Sequence, residues 1–301
     1  MPYSTPTEVM SENFAQRSAV KSQGPGFAGA SPYRVKNMTR RSVLRNLAGI
    51  AGGILAMPAA QVCKAAVQNG LASSNAPAGY DPTRHKWLMA LDVDRCIGCG
   101  MCVEACQKEN GVPQDCFRTW IERYVIKKPG PESGNARGET VVDSPDGGKE
   151  GFPALPVPKA EVLKSFFVPK LCNLCDHSPC TQVCPVGATF DAPDGAVLVD
   201  KNYCIGCGFC IQACPYGCRF FNPVTHTADK CTLCYHRITR GLKPACVEIC
   251  PSQARIFGDL KHPVADDPLQ RFIANNKVEK LKESLGTGPQ VAYAGLDEVV
   301  R

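Results

Sequence analysis

Once its first 65 residues are set aside, the chain has no excess charge of either sign. The 301 residues carry 34 Lys/Arg and 28 Asp/Glu, formally +6. Residues 1–65 hold eight basic and two acidic side chains, which accounts for the whole excess, and the rest holds 26 of each sign. Nucleic-acid binding by phosphate neutralisation needs a surplus of Lys and Arg, so that class is excluded. Long apolar runs are missing too: beyond the leader none approaches the ~18 residues that read as a membrane span. Histidines number five and are scattered. Nothing resembles a nucleophile–base pair, a phosphate loop or a molybdopterin site, which removes the usual machinery of substrate chemistry. Disorder throughout is excluded by an ordinary hydrophobic share of 44%, and the length allows one large domain or two modest ones.

Cysteine is what the chain has in excess: 19 of them, with 25 prolines and 27 glycines that indicate a loop-rich body. Residues 172–185 read C-N-L-C-D-H-S-P-C-T-Q-V-C-P, and 204–215 read C-I-G-C-G-F-C-I-Q-A-C-P. The second run has the C-x2-C-x2-C-x3-C-P spacing that holds a [4Fe-4S] cluster in bacterial ferredoxins. Three close thiolates wrap one cube there, and the fourth cysteine is expected to open a helix and ligate the other cluster. The proline after it is tolerable in a first helical turn. The first run is the same device with two residues added, so the pair looks like one complete two-cluster unit. Residues 96–106 nearly copy 204–214, which suggests duplication, but Gln107 stands where the other groups have proline. Cys231, Cys234, Cys246 and Cys250-Pro251 make a fourth group.

Thiolate also suits zinc. A zinc site, however, is tetrahedral and closed by two pairs, with no use for a third cysteine three residues on. Cysteines two apart in tight glycine turns are poorly placed for disulfides. The glycines of C-I-G-C-G let backbone wrap the cube and aim N–H groups at sulfur. Four oxidised cubes of about −2 each would bring the mature chain to roughly −8. Cys63, Cys116 and Cys218 lie outside the groups and read as inert apolar residues or free thiols. His177 and His236 read as hydrogen-bonding or surface residues.

Residues 1–37 show no helical or strand period. Thr39-Arg40-Arg41-Ser42-Val43-Leu44-Arg45, followed by a glycine-interrupted apolar run from Leu47 to about Val62, resembles a twin-arginine export signal. Val43 stands where that motif more often has Phe. The run is too short and too rich in Gly and Pro for an anchor. Such a route carries folded proteins, so clusters would cross intact rather than as thiols exposed to an oxidising space. Cleavage is expected near Ala59 to Ala66, and Met38 is an alternative start. Trp87–Val93, Ala196–Val199 and Arg118–Ile126 read as strands. Residues 129–153 read as an exposed loop, and 268–284 as an amphipathic helix with Leu269, Phe272, Ile273 and Leu281 apolar.

Four groups with these spacings resemble the electron-transfer (beta) subunits of the dimethyl sulfoxide reductase superfamily, including those of polysulfide and tetrathionate systems. The match covers roughly 85–293. It includes Pro169-Lys-Leu-Cys172-Asn-Leu-Cys175, Lys230-Cys231-Thr-Leu-Cys234, and Pro244-Ala-Cys246 through Cys250-Pro251-Ser-Gln-Ala254. Leu285-Gly-Thr-Gly-Pro-Gln-Val-Ala-Tyr293 looks like the closing segment. The resemblance implies an α+β fold of two interleaved ferredoxin-like units. The first is split over 86–128 and 226–265, the second covers 169–225, and 129–168 is a loop insertion between them. Residues 1–65 form the N-terminal extension and signal, and 266–301 a C-terminal helix and tail. It also implies four [4Fe-4S] sites. The first is Cys96, Cys99, Cys102 and Cys250. The second is Cys172, Cys175, Cys180 and Cys214. The third is Cys204, Cys207, Cys210 and Cys184, and the fourth Cys231, Cys234, Cys246 and Cys106. The implied partners are a catalytic oxidoreductase subunit, for which a molybdopterin centre is one option, and a quinone-interacting membrane subunit. The implied place is the outer face of the cytoplasmic membrane, and the chain itself would do no substrate chemistry. The alternative is a soluble polyferredoxin-type carrier. A catalytic subunit with its own substrate site has no supporting constellation.

Overall fold

The computed structural model describes residues 77, 79–130 and 138–300. The chain divides into Met1–Cys63 and Lys64–Arg301. All described residues belong to the second unit, so the twin-arginine stretch lies outside them. The elements in order are β1 (Trp87–Asp92), α1 (Met101–Asn110), β2 (Thr119–Lys127), β3 (Thr140–Asp143), β4 (Val162–Leu171), α2 (Pro179–Gln182), β5 (Thr189–Asp191) and β6 (Val197–Val199). They continue with α3 (Phe209–Gln212), β7 (Phe220–Asn222), β8 (Thr227–Asp229), α4 (Tyr235–Ile238), α5 (Ala245–Glu248), β9 (Arg255–Asp259), α6 (Pro268–Asn275), β10 (Val278–Glu279) and β11 (Val291–Ala294). The fold is mixed helix and sheet. Among the described residues no helix is long and apolar enough to cross a membrane.

β1 is buried on both faces, which is why it reads as a continuous apolar run rather than an alternating one. It lies inside a four-stranded sheet of order β10-β11-β1-β9. Met89 stands opposite Val291 on the parallel neighbour and Phe257 on the antiparallel one. Trp87, Met89 and Leu91 enter the main core. Leu88 and Ala90 face Leu269 and Phe272 of α6. Each buried Leu, Met or Phe side chain here stabilises the fold by about 1.5–3 kcal/mol. The main core differs from an ordinary one because Cys102, Cys172, Cys180, Cys210, Cys231 and Cys246 are part of it, packed with Ile121, Leu171, Leu174 and Leu233. Pairing of β1 with β9, and packing of α1 on α5, bring the start and the end of the described chain together.

Three local expectations need correction. Residues 129–168 are not simply loop: β3 and most of β4 lie within them, forming a sheet of order β3-β2-β4. Thr140-Val141-Val142-Asp143 is too short to stand out among glycines. Buried Arg123 fixes it, gripping Asp143 through Nε at 2.9 Å and Nη2 at 2.6 Å. The C-terminal helix ends at Asn275 rather than 284. Asn276 leaves helical geometry and donates its Nδ2 to the Phe272 carbonyl at 2.9 Å, and Leu281 is buried beyond it without belonging to it. Lastly, the fourth cysteines do not open helices. Cys184, Cys214 and Cys250 each follow a four-residue helix that caps one residue earlier. The proline behind each disfavours helical geometry at the residue before it and ends the turn. Cys106, followed by Gln107, instead lies inside the ten-residue α1.

Candidate metal centres

Short helices and left-handed turns carry the cysteines inward and leave three cavities. The first is lined by Cys96, Cys99 and Cys102, from the β1–α1 connection, and by Cys250 after α5. Its walls include Ile121, Pro169, Ala254 and Arg255. Another is lined by Cys172, Cys175 and Cys180 with Cys214, beside Asn173, Tyr216 and Arg219. The last is lined by Cys231, Cys234 and Cys246 with Cys106, beside Asn110, Arg118 and Thr119. The atom-free spaces, counting the open solvent at their mouths, are about 300, 310 and 290 Å³. Each holds three cysteines from one group and a fourth from a different group. Cys184, Cys204, Cys207 and Cys210 line none of these three cavities. Cys210 is buried, Cys184 and Cys204 are half-buried, and Cys207 is exposed. The helices carrying Cys180 and Cys210, α2 and α3, pack together.

Burial in the cavities opposes bare thiolates. Burial pushes Cys96 and Cys175 up to about 11, Cys231 to about 11 and Cys246 to about 12. Thiolates there need a compensating cation, and metal binding would displace the protons. Two thiols go the other way. The Cys218 thiol donates to Cys214 and, with the backbone N–H groups of Cys218 and Tyr216, lowers Cys214 to about 5 against its burial. For Cys184, burial raises the thiol, but the backbone N–H groups of Thr189, Val186, Ala188 and Gly187 outweigh it and hold it below the usual range. Among the described residues no three His, Cys, Asp or Glu side chains close on a single ion.

Comparison with known proteins decides the family. Residues 87–107 match a 4Fe-4S binding domain and 163–260 a 4Fe-4S dicluster domain. The chain is similar to the B subunit of tetrathionate reductase from Salmonella typhimurium, 40% identical over 215 residues, covering 71% of this chain and 74% of the relative. It is similar to the tetrathionate reductase B subunit of Archaeoglobus fulgidus as well, 41% identical over 71% of this chain and 84% of the relative. The B component of polysulfide reductase from Wolinella succinogenes is 34% identical over 68% of this chain and 92% of its own. The chain therefore belongs to the family of iron–sulfur electron-transfer subunits of reductase complexes.

In an iron–sulfur subunit the cavities should suit an anionic cluster, and one observation tests that. Arg255 lines the first cavity, is 3% exposed, and has a buried Nη1 without a partner. Burial opposes its charge, but the thiolates of Cys102, Cys246, Cys96 and Cys250 override that and raise its pKa. A buried guanidinium facing thiolates fits a cluster that brings net negative charge.

Several supporting residues escaped the sequence reading. Cys218, read as inert, bonds a site thiolate, and its sulfur lies 3.0 Å from the Leu171 carbonyl oxygen. Asn110 Nδ2 lies 3.6 Å from the sulfurs of both Cys106 and Cys234. Arg219 Nη2 is 2.9 Å from Cys180 Sγ. Backbone N–H groups of Ala228 and Leu233 reach Cys204 and Cys231 at 3.4 Å. The available signal was a lone basic residue beside a cysteine, at Arg219 and Lys230. His236 bonds Glu109 at 2.7 Å and His177 is exposed.

Proposed function

We propose that this subunit relays electrons through four [4Fe-4S] clusters between a separate catalytic subunit and a quinone-reactive membrane subunit. The names of its relatives, which include reductase B subunits for tetrathionate and polysulfide, support the setting. The proposed ligands are the four quartets already named, with the first and fourth cysteine groups forming one ferredoxin-like unit and the second and third another. Each cluster, when bound, would supply one-electron acceptance and donation at a potential set by its surroundings. The chain's own residues fix spacing, exclude water and direct N–H groups at sulfur. The observation that supports the reading is hydrogen bonding between cavity walls. Arg255 of the first cavity donates Nη2 to Thr119 Oγ1 of the fourth site's cavity at 2.9 Å, and Lys230 Nζ donates to the carbonyls of Cys231, in the fourth, and Val197, in the second. Neighbouring cavities linked in this way are what a relay needs.

Anaerobic iron and sulfide analysis, with EPR of the reduced protein, tests the assignment. The expected result is about sixteen irons per chain; stoichiometric zinc, or a load short of four clusters, would overturn it. The same reading puts the mature protein on the outer face of the cytoplasmic membrane, exported by the twin-arginine route. Lysine at Arg40 and Arg41 should then leave a cluster-loaded protein in the cytoplasm. Undiminished periplasmic accumulation on fractionation would contradict the export assignment.

A further inference from the structure

Among the described residues three buried cations stand apart from the other buried basic side chains. Arg219, Lys230 and Arg255 are 5%, 0% and 3% exposed. None takes part in an ion pair with a carboxylate among the described residues. Arg118 and Arg123 are buried to the same degree, and both are paired, with Asp229 and Asp143. An unpaired buried charge is costly, so the three need a common explanation.

Their hydrogen bonds place one at each junction between neighbouring sites. Arg255 lines the first cavity, and its Nη2 donates at 2.9 Å to Thr119 Oγ1, a wall of the fourth site's cavity. Lys230 Nζ donates to the carbonyl of Cys231, in the fourth site, and to that of Val197, a wall of the second. Arg219 Nη2 bonds Cys180 of the second site at 2.9 Å. Its Nη1 reaches Thr189 Oγ1 at 3.3 Å, and the Thr189 N–H points at Cys184 of the third. The thiolates that act on Arg219 include Cys180 and Cys172 on one side and Cys210 on the other. The succession is first, fourth, second, third, with one cation in each of its three gaps.

We infer that Arg255, Lys230 and Arg219 are potential-setting cations, each raising the reduction potentials of the two clusters it separates. The inference rests on the proposed ligation. Reduction adds negative charge to a cluster, and a fixed positive charge nearby in a medium of low dielectric constant stabilises the reduced form. A cation between two clusters also weakens their mutual repulsion, so that reducing one does less to hinder reducing the next. A carboxylate partner would cancel both effects, and none is present among the described residues.

The test is a potentiometric titration followed by EPR on the full-length, cluster-loaded chain. Arg219→Met, Lys230→Met and Arg255→Met are compared with the unaltered protein, each signal being assigned by a Cys→Ser variant. Each Met variant is expected to shift the reduced-to-oxidised ratio of its two flanking clusters about tenfold toward oxidised. For one electron that is about 59 mV. The other two clusters should move less than threefold. Equal shifts at all four clusters, the mark of general loosening, would overturn the inference, and so would no shift. If a Met variant does not hold its clusters, Lys230→Arg, Arg255→Lys and Arg219→Lys provide the decision. With charge kept, the clusters flanking residues 230 and 255, and the third cluster beside residue 219, should stay within threefold of normal; tenfold falls there would defeat the idea. Iron and sulfide are counted first on the unaltered chain. Fewer than four clusters there defeats the ligation reading, whereas four clusters with unmoved potentials in the Met variants defeats this inference alone.

Discussion

Residues 96–106 and 204–214 both read C-I-G-C-G-x-C-x-x-A-C, and both turn the backbone the same way. Gly98 and Gly206 have φ of 68° and 70°, and Gly100 and Gly208 have 78° and 77°. Their surroundings differ. A Cβ on Gly98 would meet the Phe167 ring at 2.6 Å, and one on Gly100 would run into the carbonyls of Gly148 and Lys149. The copy at Gly208 has nothing within 4 Å. Phe167, Gly148 and Lys149 all come from the region between the first and second cysteine groups, so that region acts as a cover for the first group. The third group is covered at one glycine only: a Cβ on Gly206 would meet the His226 carbonyl at 2.7 Å, while Tyr203, Ile205, Cys207 and Phe209 are exposed together. The shared spacing accounts for the shared turn. What lies over the turn comes from elsewhere in the chain.

The largest expected break in this pairing comes from exchanging the residues after the last cysteine. Gln107→Pro places proline inside α1, where loss of an N–H and a clash cost ~3 kcal/mol or more. Pro215→Gln, after a helix that has already ended, should cost only about 0.4–1 kcal/mol. Thermal unfolding of the holoprotein, read as midpoint and as iron released, checks both; equal losses would erase the distinction. Gly100→Ala and Gly208→Ala come next. Both place a side chain in left-handed geometry at about 1–2 kcal/mol, but only Gly100→Ala also drives a methyl into backbone. Faster iron release to a chelator in Gly100→Ala than in Gly208→Ala is expected, and the reverse order would mean that the cover is not tight. The smallest effect concerns Cys106 and Cys214 themselves. Asn110 supports the first of these and Cys218 the second. Asn110→Leu should touch only the fourth cluster and Cys218→Ala only the second, each by the ~0.5–1.5 kcal/mol of a single net hydrogen bond. Redox titration resolves the two. A change at the opposite cluster would show that the supports are not local.

The four cysteine groups were legible because cysteine spacing is set by local geometry, whereas the sharing of cysteines between groups was implied only by the family resemblance. The strands at Trp87, Arg118 and Ala196 were also readable from their apolar patterns, as β1, β2 and β6 show. The missed features depend on partners distant in sequence. β3 is a four-residue strand whose stabilising partner, Arg123, lies 20 residues away. The Cys218 thiol acquires meaning only when Leu171 and Cys214 surround it. Nothing near Arg255 in sequence announces that its guanidinium will end between thiolates of the first and fourth groups. The Cys-Pro pairs were readable as helix punctuation, but they end helices rather than begin them, because proline restricts the residue before it as well as itself.

The central claim is that cysteines from the two ends of the described chain share sites, and EPR of Cys250→Ser and Cys106→Ser side by side tests it most directly. The cavity around Cys96, Cys99 and Cys102 also contains Cys250, and that around Cys231, Cys234 and Cys246 contains Cys106. Cys250→Ser should therefore convert or remove the cluster of the first group while sparing that of the fourth, and Cys106→Ser should do the opposite. Each variant losing the cluster of its own sequence group instead would contradict the account.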